Sequence, residues 1–97
     1  MGEVKLISIR EFCNSHKIEP TFIQSLREYD LIEVKIVDKA HFVKEDHLDS
    51  LEKMVRLHRD LNINLEGIDA IINLLDKVSE LKEEVRRLQV RVDRHEK

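Results

Sequence analysis

The sequence predicts a mainly α-helical fold with a short β-hairpin and a long C-terminal coiled-coil helix. Three observations lead to this prediction. Charged residues make up 38% of the chain, with only two Gly and one Pro, which is typical of helices with solvated faces. One segment, 33–43, is rich in β-branched residues. From Leu65 onward there is no Pro, and apolar residues recur every seven positions.

A length of 97 residues fits one domain with an appendage. We expect residues 1–64 to form a helix-turn-helix unit with a hairpin and a supporting third helix. Residues 65–97 would form the C-terminal helix, with its first turns packed on that unit. The N-terminal residues lack the apolar run of a signal peptide, and no segment reaches membrane-spanning length. With Cys13 as the single cysteine, these features predict a cytoplasmic protein.

Two short helices open the predicted fold. Ser8 and Glu11 have the spacing of a capping box, so the first helix should run to about Lys17. Pro20 suits the first turn of a second helix, predicted to end at Tyr29. One face of that helix carries the apolar residues Phe22, Ile23, Leu26 and Tyr29. Two short helices this close in sequence predict a helix-turn-helix.

A hairpin and a third helix follow. The hairpin spans Glu33 to Val43, with Asp38-Lys39-Ala40 as its turn. Acidic residues then cluster at the start of the third helix, where the helix dipole favours negative charge. Leucines and Val55 supply the apolar side of this helix, which should end near Asn62.

The last helix should begin after Asn64, a good N-cap, and be about 45 Å long. Ile68, Ile72 and Leu75 form an apolar stripe in its first turns only. A heptad seam continues further, with Ile71, Val78, Val85 and Val92 at a positions and Leu74, Leu81 and Leu88 at d positions. So narrow a seam cannot stabilise an isolated helix. We therefore expect a homodimer through these seven residues, and both parallel and antiparallel orientations remain open.

This order of elements resembles the MerR superfamily over almost the whole chain. The fold that the resemblance implies is a MerR-like winged helix-turn-helix, with a short β-hairpin wing and a long C-terminal coiled-coil helix. On its own, this likeness implies a transcription regulator.

Several segments carry a closer resemblance. They are Ile9-Arg10-Glu11-Phe12-Cys13, Phe42-Val43 before Glu45-Asp46-His47, Val55 to Leu61, Gly67-Ile68 and Leu74-Leu75-Asp76. In these segments the chain resembles the chaperone modulator CbpM family. The resemblance implies a non-catalytic modulator that binds the J domain of a DnaJ/CbpA-like co-chaperone and blocks its productive interaction with DnaK.

J domains generally present a basic helix to DnaK, so a competitor should offer carboxylates around an apolar centre. Two acidic groups are candidates. The first, Glu28, Asp30 and Glu33, lies at the end of the second helix and the start of the wing. The second, Glu45, Asp46, Asp49 and Glu52, belongs to the predicted third helix. The sequence does not choose between them, and any single carboxylate is more simply explained as a solvated surface charge.

The alternative function is that of a MerR-like DNA-binding transcriptional regulator. Residues for base and phosphate contacts would be Arg10, Lys17, Gln24, Arg27, Lys35 and Lys39. Against this, 20 acidic residues face 17 basic ones, for a net charge of −3. DNA-binding domains are usually strongly basic, so this alternative ranks second.

Catalytic and metal chemistry are not indicated. Cys13 and His16 share a helical face, but two side chains do not make a metal site, and core packing is the simpler role for the thiol. The sequence has no Gly-rich phosphate loop and no nucleophile elbow. We therefore expect no enzyme activity, no cofactor and no metal. The sequence does not decide whether Tyr29 and Phe42 pack in the core or contact a partner.

Overall fold

A computed structural model describes residues 3–95 and contains four α-helices and one three-stranded sheet in that range. In chain order the elements are β1 (Leu6–Ser8), α1 (Ile9–His16), α2 (Pro20–Glu28), β2 (Lys35–Val37), β3 (Ala40–Lys44), a 3-10 turn (Glu45–His47), α3 (Leu48–Leu61) and α4 (Leu65–His95). The predicted mainly α fold with a hairpin wing is confirmed. The predicted continuation of the last helix to Lys97 lies outside the described residues.

The first helix begins and ends through identifiable hydrogen bonds. The Oγ of Ser8 accepts from the backbone N–H of Glu11 at 3.3 Å, as the capping pattern predicts. Lys17 adopts the left-handed conformation, with φ of 54°, and ends the helix. The guanidinium of Arg59 on α3 donates to the carbonyls of His16 and Lys17. Arg59 thus satisfies acceptors that the end of a helix leaves unpaired.

The sheet differs from the sequence prediction in two ways. Its strand order is β1-β3-β2, with both pairs antiparallel, so β3 lies in the centre. Asp38 and Lys39 both have positive φ and form a two-residue turn by themselves. Ala40, predicted to belong to the turn, is therefore the first residue of β3. Strand β1, where Ile7 pairs with Val43, was not predicted.

The core lies where α2, α3, β3 and the start of α4 meet. Its fully buried members are Leu26, Leu51, Met54, Ile68 and Val43. Around them pack Ile9, Phe12, Cys13, Phe22, Ile23 and Val55. Among the described residues, none of the buried side chains is polar or charged. The core is therefore held by apolar burial, which is the dominant favourable term in folding.

The fourth helix belongs to the core only in its first turns. The side chain of Asn64 accepts from the N–H of Gly67 at 2.9 Å, which is the N-cap that the sequence predicts. Ile68 is fully buried and Ile72 packs against the core, but Leu75, the third member of the predicted stripe, is 44% exposed. In the part of the chain that the structure describes, no helix is long and apolar enough to cross a membrane.

We predict that Ile68→Ala lowers the free energy of unfolding by about 2–5 kcal/mol, because it leaves a cavity where α4 joins the core. Urea unfolding followed by circular dichroism measures the change. Val90→Ala, at an exposed position of the same helix, serves as the control and should have little effect. A loss below about 1 kcal/mol for Ile68→Ala would show that α4 is not part of the cooperative core.

Candidate functional site

A surface cleft of about 420 Å³ lies between the α2–β2 loop, the 3-10 turn, α3 and α4. Its apolar residues are Leu31, Ile32, Met54 and Ile72. Its polar residues are Asp30, Glu33, His47, Ser50 and Asp76. We call this feature the acidic cleft. It combines an apolar floor with carboxylates from two separate parts of the chain, as binding sites for amphipathic partners commonly do.

The end of α2 forms one wall of the acidic cleft. Asp30 has φ of 58°, a left-handed conformation that Asp tolerates better than most residues. The next amide, of Leu31, donates to the carbonyl of Leu26 at 2.9 Å. Because of this reversal, Leu31 and Ile32 pack against the core. The carboxylate of Asp30 is thereby placed beside an apolar surface.

Glu33 is already paired with the wing. Its carboxylate lies 3.2 Å from Nζ of Lys35 and 3.8 Å from Nζ of Lys44. The hydrogen bond from Lys35, and then the charges of Lys35 and Lys44, hold the pKa of Glu33 below its ordinary value. The carboxylate therefore stays ionised, but its charge is largely balanced by two lysines.

The two aspartates of the acidic cleft are less compensated. Among the described residues, no salt bridge involves Asp30 or Asp76. Asp76 was not among the predicted site residues, since the heptad pattern assigns it only to the outer side of the coiled coil. It enters the cleft because the first turns of α4 pack on the core. His47 and Ser50 were also missed, because nothing local marks them as neighbours of Asp30.

The other predicted acidic residues lie outside the cleft. Glu45 and Asp46 belong to the 3-10 turn, not to the third helix as predicted. Asp49 on α3 and Glu28 at the end of α2 are exposed. Glu52 lies 3.6 Å from Nε2 of His16, so it faces α1. The two predicted acidic groups therefore do not form two equivalent surfaces.

The residues predicted for DNA contact are spread over three elements. Gln24 and Arg27 of α2 line a concavity of about 310 Å³ together with His41 of the wing. Lys35 is engaged by Glu33. The remaining residues, Arg10 on α1, Lys17 at its end and Lys39 in the wing turn, are exposed. Gln24 and Arg27 therefore share a concave surface with the wing.

Cys13 and His16 have separate structural surroundings. Cys13 is buried in the core, and burial raises the pKa of its thiol. The ring of His16 stacks on Phe12 with centroids 4.1 Å apart, and its Nδ1 lies 3.2 Å from the carbonyl oxygen of Phe12. Over residues 3–95, no cluster of three or more His, Cys, Asp or Glu side chains is suited to a metal ion. Packing accounts for both residues.

Tyr29 connects α2 to α4. Its hydroxyl donates to Oε1 of Glu66 at 2.7 Å. This hydrogen bond, followed by the charge of Glu66, raises the pKa of Tyr29, and the same hydrogen bond lowers the pKa of Glu66. The role of Tyr29 that the sequence left open is therefore an intramolecular one. The bond fixes the end of α2, and with it Asp30, relative to the helix that carries Asp76.

The predicted dimerisation residues form a continuous seam on α4. Leu74, Val78, Leu81, Val85, Leu88 and Val92 are each 44% to 63% exposed, and Ile71 is half-buried. A helix of 31 residues extends well beyond the winged unit. The apolar seam therefore has little cover from its own chain.

Known proteins are similar to this chain over most of its length. A family model described as MerR HTH family regulatory protein matches residues 7–90. Curated relatives named chaperone modulatory protein CbpM come from Escherichia coli strain K12 / DH10B, Escherichia coli O157:H7 and Shigella boydii serotype 18. Each is 27% identical over 88 residues, covering 90% of this chain and 87% of the relative. No solved structure matches the chain. The resemblance predicted from the sequence is confirmed.

We predict that Tyr29→Phe lowers the thermal stability in a pH-dependent manner. The pKa of Glu66 is lowered in the folded protein, so its contribution is present above the unfolded value and is lost as the pH falls through the folded pKa. The pKa of Tyr29 is raised, so its contribution is lost as the pH rises through the folded pKa. The difference in Tm between Tyr29→Phe and the unaltered protein should be largest between the ordinary values of 4.5 and 10.0.

Glu66→Gln and the double variant complete a thermodynamic cycle. If Tyr29 acts through Glu66, the double variant loses less than the sum of the two single losses. Additive losses would show that the two side chains do not interact in solution.

Proposed function

We propose that this chain, a member of the MerR HTH family of regulatory proteins, is a non-catalytic modulator that binds the J domain of a DnaJ/CbpA-like co-chaperone and blocks its productive interaction with DnaK. Curated relatives matching 90% of the chain carry the name chaperone modulatory protein CbpM. The observation that carries the proposal is the acidic cleft, with its apolar floor between Asp30 and Asp76. This role requires the chain to act in the compartment of DnaK, the cytoplasm.

The acidic cleft suits a basic helix for two separate reasons. Leu31, Ile32 and Ile72 offer an apolar surface that gains free energy when a partner covers it. Asp30 and Asp76 supply a negative potential at its edge, which attracts and orients a basic partner. Apolar centres with charged rims are the usual anatomy of protein interfaces. The cleft therefore provides affinity in its floor and orientation at its edge.

The acidic residues in and around the cleft take unequal parts in this proposal. Asp30 and Asp76 make the close contacts, whereas Glu33 is held by Lys35 and Lys44 and contributes less. The exposed carboxylates outside the cleft, Glu28, Glu45, Asp46 and Asp49, act at longer range by accelerating encounter. Glu52, which faces His16, has a structural role.

Inhibition follows from competition for one surface. A J domain whose basic helix lies in the acidic cleft cannot present that helix to DnaK at the same time. The modulator needs no chemistry for this effect, because occupancy depends only on its concentration relative to the dissociation constant. The extent of inhibition should therefore rise with the concentration of the modulator and fall when more J-domain protein is added.

The second candidate function is sequence-specific DNA binding, as in MerR-like transcriptional regulators. Gln24 and Arg27 on α2 favour it, because they line the same concavity as His41 of the wing. Gln and Arg side chains read adenine and guanine in the major groove. The net charge of −3 and the pairing of Lys35 with Glu33 weaken the phosphate contacts that such binding needs.

We predict that the protein binds the J domain of the CbpA-like co-chaperone from the same organism, and that salt weakens the binding because opposite charges meet at the edge of the cleft. Isothermal titration calorimetry at two salt concentrations measures this. Asp30→Asn with Asp76→Asn should raise the Kd about tenfold. Asparagine keeps the shape of each side chain and tolerates the left-handed backbone of residue 30.

Asp49→Asn is the matched control, because Asp49 is exposed on α3 outside the acidic cleft. It should leave the Kd within about twofold. Absence of J-domain binding, together with a specific mobility shift of the gene's own promoter DNA, would favour the regulator instead. J-domain binding that is equally reduced by all three substitutions would contradict the assignment to the cleft.

A further inference from the structure

The concavity between α2 and the wing carries the opposite charge to the chain as a whole. We infer that this surface, which we name the α2–wing concavity, binds an acidic segment of a partner protein that has an apolar side chain beside its carboxylates. Arg27 pairs with a carboxylate of the partner, and the apolar floor takes up the apolar side chain. The inference is independent of the J-domain proposal, because no residue lines both this concavity and the acidic cleft.

The α2–wing concavity has an apolar floor and a polar rim. Its apolar lining residues are Ile9, Pro20, Ile23 and Val34, and its polar ones are Thr21, Gln24, Arg27 and His41. Ile9 and Ile23 are buried in the core, whereas Gln24 and His41 are exposed. None of the described residues that line the concavity is acidic. An apolar centre inside a polar rim is the usual anatomy of a protein interface.

One stripe of α2 supplies most of the rim. Gln24 and Arg27 are three positions apart on the helix, so their side chains are neighbours on one face. Glu28 follows Arg27 directly, but it is turned about 100° around the helix and does not line the concavity. Glu19 accepts a hydrogen bond from the hydroxyl of Thr21 at 3.4 Å and lines a different surface. The acidic residues close in sequence therefore do not belong to this rim.

Arg27 is available to a partner. Over residues 3–95, no salt bridge involves Arg27, whereas Lys35 and Lys44 both pair with Glu33. The side chain of Arg27 is half-buried, and solvent screens a partly buried charge less than an exposed one. A guanidinium can also bind one carboxylate through two parallel hydrogen bonds. Arg27 therefore offers an acidic partner both charge and a defined geometry.

The wing extends the apolar surface beyond the concavity. Ile36 of β2 pairs with His41 of β3, so their side chains project from the same face of the sheet. His41 lines the concavity, and Ile36 is 54% exposed. Ile36 therefore continues the apolar floor onto the wing.

This distribution of groups favours a peptide segment over a small acidic molecule. Sites for small molecules place several polar groups around the ligand inside a largely enclosed pocket. Here the polar groups lie at the rim, and the apolar surface continues outside the concavity to Ile36. A small carboxylate would use Arg27 alone. A peptide covers Arg27, the floor and Ile36 together.

The same distribution favours an acidic peptide over DNA. Proteins bind a DNA duplex largely through many phosphate contacts, and Arg27 is the one lining residue with a permanent positive charge. The net charge of the chain is −3. An apolar floor gains free energy when an apolar side chain covers it, and the phosphate backbone offers none. A few carboxylates around an apolar side chain match this surface better.

A displayed peptide library tests the chemistry of the occupant on the full-length protein. In this library, two acidic residues flank one apolar residue, and the other positions vary. Peptides that bind should lose binding when their acidic residues are changed to Gln or their apolar residue to Ser. Failure to enrich any peptide would overturn the inference, and so would enriched peptides that bind equally well after either change.

Fluorescence anisotropy with the most enriched peptide tests the assignment to the concavity. Arg27→Gln should raise the peptide Kd about tenfold, because it removes a charge-assisted hydrogen-bonded pair. Ile36→Ser should raise it about threefold through lost apolar burial. Arg87→Gln, exposed on α4, is the matched control and should leave the Kd within about twofold. If Arg27→Gln has no larger effect than Arg87→Gln in variants that circular dichroism shows to be folded, the peptide binds elsewhere and the inference is wrong.

Two parallel titrations separate this inference from the other functions. Arg27→Gln should leave the Kd for the J domain within about twofold, because Arg27 lies outside the acidic cleft. A tenfold rise would assign the α2–wing concavity to the J domain instead. A mobility shift of the gene's own promoter DNA that Arg27→Gln abolishes, without peptide binding, would assign the concavity to DNA. Either result would overturn the inference.

Discussion

Burial of Ile68 is the contact on which the arrangement of this molecule depends. It joins the first turns of α4 to the cluster formed by Leu26, Leu51 and Met54, which come from α2 and α3. The helices of the winged unit are short, and an isolated pair of short helices is marginal in water. The start of α4 therefore completes the core, while its remaining turns extend away from it. The Tyr29–Glu66 hydrogen bond joins the same part of α4 to the end of α2.

Within the winged unit, acidic residues that look alike in the sequence differ in how far nearby basic residues balance their charge. Glu33 and Asp30 lie three positions apart, yet Glu33 is balanced by Lys35 and Lys44 while no salt bridge in the described range involves Asp30. The balance depends on β2 and β3 bringing both lysines to one side of the sheet. The effect of a surface charge depends mainly on the other charges close to it. An acidic cleft therefore arises beside a wing that carries basic residues.

Much of the fold could be predicted because its signals are local. The Ser8 cap, Pro20 at the start of α2 and the apolar heptads each act within a few residues, and they place the starts of α1, α2 and α4 to within about two positions. Strand β1 was missed because three residues carry too weak a pattern, and the strand exists only through pairing with β3. Ala40 was misplaced because the positive φ values of Asp38 and Lys39 let two residues make the turn.

The site was harder to predict because tertiary contacts, and not local signals, bring its residues together. Of seven acidic residues chosen from the sequence, the structure places Asp30 and Glu33 in the cleft and adds Asp76. Asp76 is distant from both in sequence, and only the packing of α4 on the core brings it there. The sequence shows how many carboxylates are available, but their grouping depends on tertiary contacts. Periodicity also conceals Asp76, since it marks the position merely as the outer side of a coiled coil.

The continuity of α4 constrains how this protein can change length during evolution. One continuous helix carries Asp76 of the cleft and the apolar seam, which runs from Ile71 to Val92 on both sides of Asp76. Inserting a single residue after Asp76 would rotate everything beyond it by about 100°, so the distal seam would turn away from the proximal one. Inserting seven residues would nearly restore the alignment of the distal part of the seam with the proximal part. Insertions or deletions in this helix should therefore accumulate in whole heptads, whereas the α2–β2 loop is free of that restriction.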